Sequence, residues 1–150
     1  EFQARIEQRS IGWAFRAADL NNFYGTKLSI QGGSGTANNA GITRFVVLNG
    51  KQVGREQFPI PVSLERGKPY RIRLSVHGDR FTTTVNGQVV GYWSDTKLSR
   101  GGFGFFSEPG EVSTIQWMTL AERDSTLGRL LSYFSLIRAP WLIAPIPVGE

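Results

Sequence analysis

The sequence contains no cysteine and a single histidine, His77. The lack of cysteine excludes disulfide bonds, thiolate metal sites and a thiol nucleophile, so stability must come from core packing. One histidine cannot build a multi-histidine metal centre or serve an obvious nucleophile. His77 stands before Gly78 and Asp79, which predicts a surface position at the end of a turn. We expect neither a metal ion nor a cofactor.

Acidic residues are also few, since the chain has twelve Asp and Glu residues. Glycoside hydrolysis generally needs two carboxylates that face one scissile bond at a defined separation. Glu108 and Glu111 flank a Pro-Gly turn and come nearest to such a pair, but a solvated hairpin tip is the favoured interpretation. Asp19, Asn21 and Asn22 carry oxygen ligands suited to calcium, yet a turn closed by their own side chains is favoured. The sequence therefore predicts a protein that is not an enzyme.

What the sequence does contain is a succession of short strand patterns. Alternation of apolar and polar residues is strict from Tyr70 to Val76, and Asn49-Gly50 and Asn86-Gly87 are pairs suited to two-residue hairpins. The predicted strands lie at 2–6, 11–15, 24–30, 42–48, 51–58, 70–76, 81–85, 88–93, 103–106 and 112–120. Short strands at this spacing predict an all-β, two-sheet antiparallel jelly-roll sandwich over residues 1–121, with a closed barrel as the alternative.

One part of this pattern resembles a known fold family. Residues 70–90 (YRIRLSVHGDRFTTTVNGQVV) and 101–105 (GGFGF) resemble concanavalin A-like lectin and glucanase sandwiches, in particular the laminin-G-like and 3-keto-disaccharide-hydrolase-like branches. Residues 12–17 and 21–24 fit the same pattern. The resemblance covers most of residues 1–121 and implies a fold more than a function, because the shared positions are turn and core residues. The glucanase Glu-x-Asp-x-x-Glu motif is absent, so no catalytic residue is carried over.

Aromatic residues supply one candidate binding site. Tyr24, Tyr92 and Trp93 would present flat apolar faces to a sugar ring. Trp13 and Trp117 fall in alternating patterns and are predicted to lie in the core. Residues 31–41 contain no large apolar side chain and are predicted to form a surface loop that borders this site.

Basic residues supply a second candidate. The net charge is +5, with 14 basic and 9 acidic residues up to Ala121, so residues 1–121 carry all of it. Arg71 and Arg73 project from one strand face and Arg80 follows across the turn, a stripe that would suit a phosphate or a sugar acid. Solubility is the favoured interpretation of this stripe. Nucleic acid is not an expected partner, because no stacking-platform motif accompanies the charge.

Residues 122–150 depart from the sandwich pattern. Arg138 and three prolines exclude a membrane-spanning helix, which needs about 20 uninterrupted apolar residues. A short helix from Thr126 to Arg138 and an extended segment are predicted instead. The apolar side chains of this segment are too many to stay exposed to water. They must pack against the domain's own sheet, a partner protein or the membrane interface. A partner is favoured, and the residues predicted to bind it are Leu130, Leu131, Phe134, Ile137, Trp141, Leu142, Ile143 and Ile146.

These patterns leave three hypotheses for the function. The first is a non-catalytic accessory subunit of bacterial type that docks through residues 122–150 onto a larger, membrane-bound complex. It would be periplasmic or at the cell surface, peripheral to the membrane. The alternative is a carbohydrate-binding module that uses Tyr92 and Trp93. A glycoside-processing hydrolase is the weaker alternative.

Overall fold

The computed structural model describes residues 1–30 and 40–121. Every regular element in them is a strand, as predicted. In chain order the strands are β1 (Phe2–Gln8), β2 (Ser10–Asp19), β3 (Asn22–Ile30), β4 (Ala40–Leu48), β5 (Lys51–Pro59), β6 (Pro69–His77), β7 (Arg80–Val85), β8 (Gln88–Ser94), β9 (Gly102–Phe106) and β10 (Val112–Met118). Ala40 and Gly41, which were predicted to lie in the loop at 31–41, belong to β4, and the rest of that loop lies outside the described residues. Within the described residues, no helix is long and apolar enough to cross a membrane.

The ten strands form two antiparallel sheets. The first sheet has the order β10-β1-β6-β7-β8 and the second has the order β5-β4-β3-β2-β9. The chain crosses between the sheets at Arg9, which has a positive φ of 61°. In the part of the chain that the structure describes, no strand joins the two sheets into a ring, so the predicted sandwich is confirmed and the closed barrel is wrong.

Two-residue turns set the register of both predicted hairpins. Asn49 and Gly50 have φ angles of 51° and 76°, and Asn86 and Gly87 have φ angles of 49° and 87°. Two consecutive positive values define the turn whose twist matches that of paired strands, and Asn and Gly adopt them at low cost. The prediction of two-residue hairpin turns at both Asn-Gly pairs is therefore confirmed.

The inner faces of the sheets meet in a core that is rich in aromatic rings. Phe81 contacts Phe15 at 5.0 Å and Trp93 at 4.8 Å between ring centroids, both edge to face. Trp13 is fully buried in the same core, as predicted, and its ring centre lies 5.5 Å from that of Phe2. Edge-to-face pairs add to the stability that burial provides, so the core fixes the rings that point toward the sheet edges.

Trp117 is not a core residue, and that prediction is wrong. A bulge in β10 places Trp117 opposite Gln3 but Ile115 opposite Ala4, so Gln116 is an extra residue that breaks the alternation. Ile115 therefore faces the core. Trp117 lies on the outer face, where its Nε1 donates a hydrogen bond to Gln3 Oε1 at 2.8 Å.

A second, smaller apolar cluster covers the outer face of the second sheet. Phe23, Phe45 and Val47 are buried there and pack against Phe106. The ring of Phe45 lies across Gly25, where an added Cβ would be only 2.3 Å from a ring carbon. A side chain at position 25 would therefore displace the ring.

Candidate functional site

A groove opens along one edge of the sandwich, where β8 of the first sheet faces β4 and β5 of the second. It consists of two adjoining cavities of about 230 Å³ and about 490 Å³. Arg44, Tyr92 and Trp93 line both cavities. The groove therefore lies where edge strands leave the core incompletely covered, which is a common position for ligand sites in sandwiches.

Arg44 is the central side chain of this groove. It stands on β4 between Ile42 and Val46, at a core-facing position, but close enough to the open edge for its guanidinium to reach outward. Its Nη1 donates a hydrogen bond to the main-chain oxygen of Tyr92 at 3.1 Å. Its Nε donates to Glu56 Oε2 at 2.7 Å, and Nη2 lies 2.5 Å from the same oxygen. Arg44 thus spans the groove from one sheet to the other.

Aromatic rings hold the Arg44 guanidinium on two sides. Its central carbon lies 4.8 Å from the ring centre of Phe58 and 5.6 Å from that of Trp93. Cations are attracted to the faces of such rings, which adds to the hydrogen bonds that fix the guanidinium. Phe58 remains 42% exposed and Tyr92 remains 60% exposed. Phe58 is therefore a partly exposed ring beside a fixed hydrogen-bonding group, and Tyr92 is an exposed residue on the edge strand that lines the groove.

The two cavities differ in their chemistry. We call the smaller one the apolar compartment, because the residues found only there are Ile42, Phe58, Val90 and Gly91. We call the larger one the polar compartment, because its further lining includes Glu56, Ser94, Asp95 and Lys97. The bridge formed by Arg44 and the main chain of Tyr92 lies between them.

Asp95 is the most firmly held acid of the polar compartment. Its Oδ1 accepts hydrogen bonds from the Tyr24 hydroxyl at 2.8 Å and from the Lys97 main-chain nitrogen at 2.7 Å, and its Oδ2 lies 2.5 Å from Lys97 Nζ. Burial alone would raise the pKa of Asp95, but the hydrogen bonds from Lys97 and Tyr24 outweigh it and lower the pKa. Asp95 is therefore ionised at neutral pH and acts as a hydrogen-bond acceptor.

Two of the three predicted sugar-stacking residues lie in the groove and one does not. Tyr92 and Trp93 line both compartments. Tyr24 was predicted to join them, but it is fully buried behind Trp93, with ring centres 5.2 Å apart. Burial, together with the hydrogen bond to the Asp95 carboxylate, raises the pKa of Tyr24 to about 12. Its role is to position Trp93 and Asp95, because no ligand can reach its ring.

Sequence patterns did not identify Arg44, Phe58 or Glu56. Arg44 carried the only available signal, a charged residue at a core-facing position of a strand that is otherwise apolar on that side. Such a residue must pair or reach solvent, since an unpaired buried charge is very costly. Phe58 and Glu56 reach the groove through pairing, as Ile42 faces Phe58 and Arg44 faces Glu56.

The predicted anion stripe lies on the outer face of the first sheet. Arg71 and Arg73 are adjacent there, but both pair with the carboxylate of Glu1, and Arg73 Nη2 lies 2.6 Å from it. Burial alone would raise the pKa of Glu1, but hydrogen bonds from Arg71 and Arg73 outweigh burial and lower the pKa. The carboxylate is therefore charged at neutral pH. Arg80 is paired with His77 in the strand register, about 13 Å along β6 from Arg73. The three arginines do not converge on one ligand.

Glu108 and Glu111 do not form the solvated hairpin tip that was predicted. Both carboxylates contact Lys27 Nζ, at 2.8 Å and 2.6 Å. The side chains of Lys27 and Glu111 are only 4% and 9% exposed, and that of Glu108 is 53% exposed. Burial raises the pKa of Glu111, but hydrogen bonds from Lys27 and from the Glu108 main-chain nitrogen outweigh it and lower the pKa. The turn folds back because a buried lysine needs a counter-charge.

The remaining polar predictions are structural. Asp19 Oδ1 accepts hydrogen bonds from the Asn21 main-chain nitrogen at 2.7 Å and from Asn22 Nδ2 at 3.0 Å, which is the predicted side-chain-closed turn. His77 is exposed at the end of β6, as predicted. In residues 1–30 and 40–121, no three His, Asp or Glu side chains come together as metal ligands.

Comparison with known proteins bears on the fold. No protein-family model and no curated protein matches the sequence. The carbohydrate-binding module CBM66 from Bacillus subtilis superposes with a TM-score of 0.56 over 77% of this chain and 70% of that chain, at 18% identity. This similarity supports the two-sheet sandwich fold, while membership of a concanavalin A-like, laminin-G-like or hydrolase-like family stays a prediction.

The predicted docking role rests on residues 122–150, which lie outside the described residues. The eight apolar residues from Leu130 to Ile146 that were expected to bind a partner are all in that segment. Their structure, the membrane-bound partner and the extracytoplasmic location stay predictions.

Proposed function

We propose that this protein is a non-catalytic module that binds carbohydrate in the groove around Arg44. The observation that carries the proposal is a groove lined by the partly exposed Phe58 and by Tyr92 and Trp93 of β8, next to fixed polar groups. The fold supports it, because a solved neighbour is a carbohydrate-binding module. A fold alone does not assign a function, so the groove chemistry is the main support.

The groove meets the two requirements that a sugar imposes on its site. The C–H face of a sugar ring is apolar and packs against aromatic rings. Phe58 offers such a ring in the groove, and Tyr92 offers an exposed one on the edge strand that lines it. Its hydroxyl groups need hydrogen-bond partners when they leave water. Glu56 and Asp95 accept such bonds, and Lys97 donates them.

The acids of the groove are arranged for binding rather than for hydrolysis. A general acid needs a pKa that is raised toward neutrality so that it carries a proton to the leaving group. The pKa of Asp95 is lowered, and Glu56 is held by Arg44 through two contacts to one oxygen. Asp95 is therefore an ionised acceptor, and the Glu56 carboxylate is engaged by Arg44, which favours recognition over turnover.

The experiment is a glycan array probed with the full chain, followed by calorimetric titration of each glycan that binds. We expect saturable binding by wild type and a loss of about tenfold or more in Tyr92→Ala, because one aromatic contact contributes about 1.4 kcal/mol. Tyr92→Phe keeps the ring and is expected to stay within about threefold of wild type.

Val89→Ala is the matched control for this loss. Val89 lies on the same strand, is also an exposed apolar residue and does not line the groove. Its replacement is expected to leave the affinity unchanged. If no glycan of a broad array binds, or if Val89→Ala and Tyr92→Ala weaken binding equally, the groove is not a carbohydrate site.

A further inference from the structure

The division of the groove restricts its ligand more narrowly than carbohydrate in general. Arg44 reaches from β4 to the main-chain oxygen of Tyr92 on β8, so it crosses the space between the two compartments. A ligand that occupies both must lie over this bridge. Each compartment then meets a different part of the ligand.

The apolar compartment favours an apolar group over a second hydroxylated ring. The side chains found only there are Ile42, Phe58 and Val90, none of which carries a polar atom, and the shared Arg44 is already bonded to Tyr92 and Glu56. Gly91 adds no side chain, and a Cβ at that position would lie 2.8 Å from Ile42 Cδ1. A sugar hydroxyl placed against the apolar side chains would lose its bonds to water without replacement, whereas an apolar group would gain by leaving water.

The polar compartment is balanced in charge. Its two cations, Arg44 and Lys97, are matched by two acids, Glu56 and Asp95, and each cation contacts one acid at 2.5 Å. An anionic ligand would have to displace one of these carboxylates. A neutral ligand can accept and donate hydrogen bonds there without breaking either ion pair.

We infer that the ligand is a neutral glycoside that carries a short apolar substituent, such as an alkyl, acyl or aryl group. The sugar ring occupies the polar compartment and the substituent lies across Arg44 in the apolar compartment. The apolar compartment, of about 230 Å³, has room for one short chain or ring. This inference rests on the proposed function, since it specifies the ligand of the same groove.

The test uses matched pairs of probes that differ only in the apolar group. Methyl and hexyl β-D-glucopyranoside, and the corresponding galactopyranosides, are titrated into the full chain by calorimetry and by amide NMR. Each fully buried methylene is worth about fourfold in affinity, so partial burial of the hexyl chain predicts at least a tenfold gain over the methyl glycoside. The Gly91 amide is expected to shift with the hexyl probe and not with 1-hexanol alone.

Two variants test whether the gain in affinity for the hexyl glycoside arises in the apolar compartment. In Phe58→Ala the ratio of hexyl to methyl affinity is expected to fall toward one, while Val112→Ala, an exposed apolar residue on β10, is expected to keep the wild-type ratio. Equal affinity for the two probes in wild type would overturn the inference and leave the proposed function standing. A tenfold gain that persists in Phe58→Ala would also overturn it. No binding of any glycoside or of any arrayed glycan would overturn both.

Discussion

Replacing Lys27 with methionine removes a positive charge from a site where two carboxylates converge. Lys27 Nζ lies 2.6 Å from Glu111 and 2.8 Å from Glu108, and it stands 5.7 Å from the ring centre of Phe106. Methionine keeps the length and the apolar stem of lysine, so packing is largely conserved. The change therefore isolates the charge.

The expected cost follows from the different exposure of the two acids. Glu111 is 9% exposed, so it cannot recover water when its partner is removed. Removal of one partner from a buried ion pair costs about 3–5 kcal/mol, because the other charge stays buried. Glu108 is 53% exposed and its own pairing contributes about 1 kcal/mol or less. We expect Lys27→Met to lower the free energy of unfolding by about 3 kcal/mol.

Urea denaturation followed by tryptophan fluorescence measures this cost, and thermal unfolding should show a drop of about 6–12 °C. Glu111→Gln and Glu108→Gln are matched controls, since each replaces a carboxylate that contacts Lys27 with a neutral amide of the same shape. Because the pKa of Glu111 is lowered from 4.5, the pair stabilises fully above that pH and loses its contribution as the pH falls below it. The difference between wild type and Lys27→Met should therefore narrow in acid.

A loss of less than about 1 kcal/mol in Lys27→Met at neutral pH would refute this reasoning. Equal losses in Glu108→Gln and Glu111→Gln would refute it as well, because the argument depends on their unequal burial.

Three further predictions address the core and the boundary of the domain. The pKa of Tyr24 is raised from 10.0 to about 12, so the free energy of unfolding should fall by about 2–3 kcal/mol as the pH rises from 10 to 12. In urea denaturation at alkaline pH, Tyr24→Phe should not show this loss. Gly25→Ala should cost about 2 kcal/mol in urea denaturation, because the Phe45 ring must move. A chain that ends at residue 124 should keep the β-sheet circular dichroism of the full chain, and its unfolding would show that the sandwich needs residues 125–150.

The strands were predictable because their signals are local. Alternation, apolar and aromatic runs and turn residues together marked all ten, and the Asn-Gly pairs at 49–50 and 86–87 marked two hairpins with a defined turn geometry. Pairing between distant segments carries no such signal. Neither the β1 to β10 pair nor the β2 to β9 pair could be deduced from spacing, and the bulge at Gln116 reversed the predicted face of Trp117.

The groove was predictable only in part. Tyr92 and Trp93 stood out as adjacent aromatic residues on one strand. The prediction for Tyr24 was wrong. Tyr24 alternates with Thr26 and Leu28, and this alternation indicates the core face on which all three residues lie. Arg44 and its partners come together only when the edges of the two sheets face each other, which is a property of the tertiary structure.

The most direct test of carbohydrate binding in the groove is amide NMR of the full chain during titration with the strongest glycan from the array. If the groove is the site, the shifts will be largest at Gly91, Ser94 and their neighbours, and they will be absent in Tyr92→Ala. Shifts confined to the outer face around Arg73 and Trp117, or no shifts with any glycan, would contradict it.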